Sequence, residues 1–164
     1  MWQSVDEIRI SDRMAIRRAV AEDIVHVAPR MRRQDVDELW ALSRTTPVEA
    51  LVMSIEMSDL TFTGVIDGRP EFMFGLAFLS HATGLGSPWF LGTDEIKKHR
   101  RDFLRASVQW RDMFLKRMPD LRNCVDDRNE LSKRWLRWLG FELTDPVPMG
   151  YDGAKFCMFS YKGT

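Results

Sequence analysis

The stretch from Asn129 to Phe141 constrains the fold more than any other part of this 164-residue chain. Its apolar residues recur at the spacing of one helical face, and the glycine after them can end a helix in a left-handed conformation. Phe141 then begins a predicted strand. The predicted face consists of Leu131, Trp135, Trp138 and Leu139, and the closing glycine is Gly140. The sequence therefore predicts a helix that turns directly into a strand.

Size, charge and hydropathy limit the class of protein. A chain of this length fits one domain and can bury about two thirds of its unfolded surface. Basic and acidic residues number 24 each, so no overall field favours nucleic acid or an anionic membrane as a partner. No apolar run approaches the ~20 residues of a membrane span, and the N-terminus lacks a secretory signal. Cys124 and Cys157 lie in apolar segments and are interpreted as reduced cytosolic thiols, with a disulfide as the alternative.

The other elements follow from hydrophobic period and turn chemistry. Residues 1–13 show little pattern and are predicted to be an N-terminal extension, so that the domain covers 14–164. Helices are predicted to open at Asp23, at Asp35 with Glu38 as a capping pair, and at Thr46 with Pro47. The second of these helices is predicted to turn Val36, Leu39 and Trp40 inward. A further long helix is predicted over 94–118. Strands are predicted over 14–20, 60–66, 71–79, 89–91, 121–125, 141–143 and 155–161, the second and third joined by a hairpin at Asp67 and Gly68.

This order of elements, together with several short motifs, resembles a known family. The motifs are Ile16-Arg17-Arg18-Ala19, Met31-Arg32 with Asp35, Glu38-Leu39-Trp40, Thr46-Pro47 with Glu49-Ala50, Asp67-Gly68, Phe74-Gly75, Trp89-Phe90-Leu91-Gly92-Thr93-Asp94-Glu95-Ile96, Phe103-Leu104-Arg105, Asn123-x-Val125, Asn129, Trp138-Leu139-Gly140-Phe141 and Phe156-x-x-Phe159. The order resembles the GNAT acyltransferase fold. More narrowly, the motifs resemble the internal virion protein A family of short-tailed phages, the gene-thirteen product family, which is itself GNAT-like.

The resemblance implies a single GNAT-like α+β domain. Its central sheet would be mixed, mostly antiparallel, flanked by helices on both faces and splayed between strands 88–92 and 121–125. It also implies a phage protein that acts as an assembly or ejection factor on a degenerate acyltransferase fold. Its partners would be other virion proteins or host proteins, and it would lie in the host cytoplasm during infection or in the virion. The alternative is an acetyl-CoA-dependent N-acetyltransferase acting on a host or phage amine.

An acyltransferase of this fold holds the pyrophosphate of coenzyme A on backbone N–H groups at a helix N-terminus. The corresponding segment has one glycine, Gly92, followed by Thr93, and Asp94 and Glu95 would repel a pyrophosphate. A vestigial cofactor site would therefore involve Gly92, Thr93, Lys97, Lys98, Arg100, Arg101 and Asn129. The plainer interpretation of the cations is a solvated basic face. No cofactor is expected on the main interpretation, and acetyl-CoA is expected on the alternative.

Catalytic groups are equally sparse. The usual tyrosine acid of this fold would fall at Leu136, and residues 87–91 offer no carboxylate base. The candidate catalytic residues from other segments are Tyr151 and His81. The three histidines of the chain are not spaced as metal ligands. Asp35 and Glu38 are interpreted as helix caps, although the resemblance places them beside the acceptor site. The sequence thus favours a non-enzymatic protein. A third possibility is a module that binds a peptide or small anion, provided that Trp89, Phe90 or Trp135 does not fill the cleft.

Overall fold

The computed structural model describes residues 6–162, which form one mixed sheet with helices on both faces. The strands within these residues are β1 Glu7–Arg9, β2 Met14–Arg18, β3 Leu60–Ile66, β4 Arg69–Ser80, β5 Leu85–Gly92, β6 Asp120–Asp126, β7 Glu142–Leu143, β8 Val147–Pro148 and β9 Lys155–Lys162. Their order in the sheet is β1-β2-β3-β4-β5-β6-β9-β7, with β8 paired to β9. β5 and β6 are parallel, whereas the other pairs within this part of the chain are antiparallel. The predicted fold class is confirmed.

Helices cover the two faces of the sheet with separate apolar clusters. The α-helices are α1 Asp23–Val27, α2 Arg33–Ser43, α3 Pro47–Met57, α4 Arg100–Arg117 and α5 Glu130–Trp138, and short 3-10 helices span Ala28–Arg30, Asp94–His99 and Tyr151–Gly153. Phe72 and Phe74 pack against α4 and α5, while Met73 packs against α1 and α3 on the other face. Because side chains alternate along a strand, an apolar run such as that of β4 is buried on both faces.

The sheet opens between β5 and β6. Their ladder contains the pairs Leu85–Asp120 and Gly86–Leu121 and stops there. Two residues further along β5, at the next position whose backbone groups face β6, Pro88 has no N–H with which to continue the ladder. The Asn123 side chain bridges the opening instead, its Nδ2 donating to the carbonyl oxygen of Pro88 at 2.8 Å. The two strands therefore diverge toward their C-terminal ends, as predicted from the resemblance.

Several helices and strands begin or end at the residues that turn and cap chemistry predicted. Thr46 and Glu49 form a reciprocal capping box at the start of α3. Asp67 and Gly68 make the predicted hairpin with φ values of 50° and 78°. Gly140 has φ of 98°, and its N–H donates to the carbonyl oxygen of Arg137. Glycine tolerates this left-handed conformation without a Cβ clash.

The predicted buried face of α5 is wrong in part. Leu131 and Trp138 are 42% and 55% exposed, whereas Leu136 and Leu139 are 6% and 2% exposed. The helix packs through the face of Leu136 and Leu139, with Trp135 partly buried beside it. Trp40 is likewise exposed, against the expectation that it points inward. A short helix with apolar residues on two adjacent faces does not reveal which face meets the sheet.

The N-terminus and the long helix also differ in detail from the sequence interpretation. The helix predicted to start at Asp94 begins as a 3-10 segment and becomes α-helical at Arg100. Ile8 lies in β1, which pairs with β2, and Ile10 is buried in the main cluster. Residues 1–5 of the predicted extension, and residues 163–164, lie outside the described residues. A domain start at Met14 stays a prediction.

Candidate active site

A cavity of about 260 Å³ occupies the opening between β5 and β6. α2 borders it with two carboxylates and two leucines, and α4 and α5 border it mainly with aromatic and aliphatic side chains. The lining residues include Arg32, Asp35, Glu38, Pro88, Phe90, Asn123, Cys124 and Trp135. Clefts of this kind, largely apolar with a few converging polar groups, are the usual form of small-molecule sites.

Glu38 is the titratable group of greatest chemical interest in the cavity. It is partly buried, and its Oε1 accepts a hydrogen bond of 2.6 Å from the backbone N–H of Asp126. Burial raises the pKa of Glu38 to about 7, and the nearby carboxylates of Asp35 and Asp126 raise it further, against the hydrogen bond and the charge of Arg32. A carboxyl group with this pKa can accept a proton at neutral pH and release it again.

Asp35 and Arg32 form a buried pair beside Glu38. Arg32 donates to both carboxylate oxygens of Asp35 at 2.9 and 3.0 Å, and both residues are less than 10% exposed. Burial raises the pKa of Asp35, and the charge of Arg32 opposes that rise. Asp35 also accepts from the backbone N–H of Gly92 at 3.1 Å. The pair therefore fastens the start of α2 to the end of β5.

The capping interpretation of Asp35 and Glu38 is wrong. The residue at the N-cap of α2 is Arg32, and no side-chain hydrogen bond caps this helix end. Asp35 contacts β5 and Glu38 contacts β6, on opposite sides of the opening. The sequence contains a pattern that could have placed both carboxylates in the cavity. One helical face, at positions i, i+3, i+4 and i+7, carries Asp35, Glu38, Leu39 and Leu42, and all four line the cavity. Carboxylates on an apolar helical face indicate a polar site within a buried surface.

The edge of β5 presents backbone groups to the opening. Gly92 donates its N–H to Asp35, and its carbonyl oxygen accepts from the backbone N–H of Arg32 at 2.8 Å. Pro88 directs its carbonyl oxygen to Asn123. Since backbone groups alternate sides along a strand, and β5 keeps regular register from Pro88 to Gly92, the N–H and C=O of Phe90 also point into the opening. The ladder to β6 has ended by this point, so a ligand amide can pair with them.

Aromatic rings form one wall of the cavity without filling it. Phe90 packs against Phe103, Trp110 and Trp135, with ring centroids 5.4 to 6.1 Å apart. Trp89 lies on the other face of β5, where its indole N–H donates to Ser58 at 2.7 Å. The opening keeps its volume of about 260 Å³ beside these rings. The condition that would have excluded a ligand, a cleft filled by Trp89, Phe90 or Trp135, is not met.

Cys124 lines the cavity as a poor nucleophile. Burial raises the pKa of its thiol to about 11, and the charge of Glu38 adds to that rise. A thiol attacks as its thiolate, which is scarce at neutral pH with such a pKa. Cys124 and Cys157 are both free thiols, as interpreted from the sequence. Covalent catalysis through Cys124 is therefore disfavoured.

The predicted cofactor residues lie in three different environments. Gly92 and Thr93 are buried at the end of β5, where Thr93 hydrogen-bonds Glu71 through its side chain. Lys97 and Lys98 form ion pairs with Asp94 and Glu95 at 3.0 and 3.1 Å, and Arg100 and Arg101 are exposed at the start of α4.

Asn129 caps α5 by accepting from the backbone N–H of Ser132, a residue that lines the cavity. Its Nδ2 is buried and is the one such side-chain atom without a hydrogen-bond partner among residues 6–162. An unsatisfied buried donor costs about 1–3 kcal/mol. Asn129 itself is not among the residues that line the cavity.

The predicted catalytic substitutes are not brought to the cavity. His81 is exposed in the turn between β4 and β5, at the closed end of the β5–β6 pair, where it contacts Phe78. Tyr151 is exposed against Arg44, 4.9 Å from guanidinium carbon to ring centroid, in a surface groove on the outer side of α2. Leu136, at the usual tyrosine position, is buried and lines the cavity.

Comparison with solved structures gives the fold. A ribosomal-protein-S5-alanine acetyltransferase from Vibrio fischeri matches with a TM-score of 0.70 at 16% identity, covering 96% of both chains. A GNAT-family acetyltransferase from Streptococcus pneumoniae matches with a TM-score of 0.64 at 11% identity, over 92% of this chain and 99% of that one. This chain has the GNAT acetyltransferase fold. The ribosomal L7/L12 alpha-N-protein acetyltransferase RimL, in complex with coenzyme A, matches with a TM-score of 0.64 at 11% identity over 96% and 98% of the chains.

Likeness at such low identity establishes the fold alone. No family model matches the chain, and no curated protein matches it. The narrower resemblance to the internal virion protein A family therefore stays a prediction. None of the helices between residues 6 and 162 has the length and apolar character needed to cross a lipid bilayer. Over the same residues, no group of His, Cys, Asp and Glu side chains is arranged to hold a metal ion.

Proposed function

We propose that this protein is an N-acyltransferase that moves an acyl group, such as acetyl, from a coenzyme A-type thioester to an amine. One observation carries this proposal. Glu38 places a carboxylate with a pKa of about 7 in the cavity between the splayed strands. A general base works best when its pKa lies near the working pH. Glu38 would thus replace the carboxylate that residues 87–91 lack.

The chemistry needs one proton acceptor. The neutral amine attacks the thioester carbonyl carbon and forms the new C–N bond. Glu38 takes the proton that the nitrogen loses. The C–S bond then breaks with its electron pair on sulfur, and the thiolate is protonated by Glu38 or by water. The products are an amide and a free thiol, so the atoms, electrons and protons balance without a metal or a redox partner.

The donor would lie along the exposed edge of β5. The pantetheine arm of coenzyme A contains amides that can pair with the N–H and C=O of Phe90, in the way a strand adds to a sheet edge. The apolar walls of the cavity would exclude water from the thioester and so limit its hydrolysis.

The test is acetyl transfer from acetyl-CoA to a panel of amines, followed by release of free thiol. Wild-type protein should release thiol in an amine-dependent manner. Glu38→Gln, which keeps the size and the hydrogen-bond acceptor, should lower kcat by about 10²–10⁴. Glu142→Gln, an exposed carboxylate on β7, is the matched control and should keep full activity. Equal rates for wild type and Glu38→Gln would remove Glu38 from the mechanism.

The assembly or ejection role in a short-tailed phage is a second candidate. It is supported by Asp94 and Glu95 at the position where the fold ordinarily binds a pyrophosphate, and by the use of the Gly92 N–H within the protein. Its partners would be other virion proteins or host proteins. Mass spectrometry of purified phage particles should then detect this chain, and its absence from the particles would argue against a virion role.

A further inference from the structure

Building on the acyltransferase function proposed above, we propose that the donor site recognises the pantetheine arm of the thioester and not the nucleotide of coenzyme A. The two ends of the exposed β5 edge differ in what they offer a ligand. The end near Phe90 presents open backbone groups beside the cavity. The end near Gly92 has its backbone groups already bonded within the protein.

The Phe90 end suits an arm that contains amides. The N–H and C=O of Phe90 face the opening, and the β5–β6 ladder has stopped four residues earlier, at Gly86. The neighbouring carbonyl of Pro88 is taken by Asn123. The N–H and C=O of Phe90 are thus open to pair with amide groups of the ligand, and apolar rings lie alongside for the methylene groups of the arm.

The Gly92 end does not suit a pyrophosphate. An anion at this point would need free backbone N–H groups. The Gly92 N–H donates to Asp35, and the Thr93 N–H donates to the carbonyl oxygen of Glu71 at 2.9 Å. Asp94 and Glu95 follow, and carboxylates repel a phosphate. The N–H groups of Gly92 and Thr93 are therefore engaged within the protein, and the two side chains that follow them carry the wrong charge for a phosphate.

The cations nearby do not restore such a site. Lys97 and Lys98 are neutralised by Asp94 and Glu95. Arg100 and Arg101 are exposed on α4, and no ion pair is found for either within residues 6–162. Exposed arginines on a helix flank attract an anion weakly through high-dielectric solvent. We therefore expect the nucleotide to add little to donor affinity.

The experiment is calorimetric titration of the full chain with coenzyme A, with pantetheine, and with adenosine 3′,5′-diphosphate. The dissociation constants of coenzyme A and pantetheine should agree within about fivefold, equivalent to less than about 1 kcal/mol. Adenosine 3′,5′-diphosphate should not displace either ligand. Arg100→Gln with Arg101→Gln should leave coenzyme A affinity as little changed as the control pair Lys116→Gln with Arg117→Gln, which removes the same charge from the other end of α4.

The outcomes separate the two proposals. Recognition of the pantetheine arm alone would be overturned if coenzyme A bound more than about fivefold tighter than pantetheine. Displacement of either ligand by adenosine 3′,5′-diphosphate would overturn it as well. Either result would leave the acyltransferase proposal unaffected. A selective loss of coenzyme A affinity in the Arg100 and Arg101 variant would have the same two consequences. If neither coenzyme A nor pantetheine binds at millimolar concentration, the acyltransferase proposal itself fails.

Discussion

Glu38 accepts a hydrogen bond of 2.6 Å from the backbone N–H of Asp126, a residue 88 positions further along the chain. This bond ties α2 to the end of β6 at the edge of the cavity. Burial and the nearby carboxylates disfavour the charged form of the Glu38 carboxyl group, while the hydrogen bond from Asp126 favours that form. The balance raises the pKa into the range where a base is useful at neutral pH.

The first prediction concerns the titration of Glu38. NMR of the carboxyl carbon, with Glu38→Gln for assignment, should show an apparent pKa of about 7. The folded protein then binds more protons than the unfolded chain between about pH 4.5 and 7. Stability should fall as pH rises through that window, because Glu38 must lose its proton within the fold.

Glu38→Gln should remove this part of the pH dependence. The variant should gain roughly 1–3 kcal/mol of unfolding free energy at pH 8 relative to wild type, when both are referenced to pH 4. Urea denaturation of both proteins at pH 4 and pH 8 measures this difference in unfolding free energy. An ordinary glutamate pKa, with parallel stability curves for the two proteins, would contradict the assigned environment.

The second prediction concerns the buried pair of Arg32 and Asp35. Asp35→Ala should destabilise the fold by about 3–5 kcal/mol, because it leaves the Arg32 guanidinium buried without its partner. It also removes the acceptor of the Gly92 N–H. The double variant Arg32→Met with Asp35→Leu should be more stable than Asp35→Ala alone, since no charge stays uncompensated. A double variant less stable than the single one would contradict this account.

Two tryptophans test the packing directly. Trp110 is 5% exposed and contacts Phe74 with ring centroids 4.1 Å apart, while Trp40 is 52% exposed. Trp110→Ala should therefore cost about 3–5 kcal/mol of unfolding free energy. Trp40→Ala should cost less than about 1 kcal/mol, although the sequence pattern predicts an inward side chain for it. Thermal or urea unfolding of the two variants measures the difference, and similar losses would show that Trp40 packs inward after all.

The thiol of Cys124 should behave as a spectator. With a pKa of about 11, it should react with iodoacetamide at pH 8 about 10² times more slowly than free cysteine. Cys124→Ala should keep acyl transfer within about threefold of wild type, because the proposed step passes through no thioester on the protein. A burst of acylated protein at Cys124, seen by mass spectrometry, would instead indicate a covalent route.

Residues close together in the sequence predicted most helix and strand boundaries. The site contacts that the sequence did not predict join residues far apart in the chain. The capping box of Thr46 and Glu49, the hairpin at Asp67 and the glycine end at Gly140 depend on residues a few positions apart, which a sequence displays directly. Glu38 meets Asp126, and Asp35 meets Gly92 at a separation of 57 residues. The helical spacing of Asp35 and Glu38 with Leu39 and Leu42 indicates a polar site on a buried face, but it does not identify the distant partners in β5 and β6. The same limit applies to α5, whose packed face depends on where the sheet lies.

The most direct test of the central claim is the pH dependence of kcat/KM for acetyl transfer from acetyl-CoA to the best amine of the panel. If Glu38 is the base, the rate should rise with an apparent pKa of about 7, and this ascending limb should vanish in Glu38→Gln while the Glu142→Gln control retains it. An identical profile in Glu38→Gln and wild type would contradict the account.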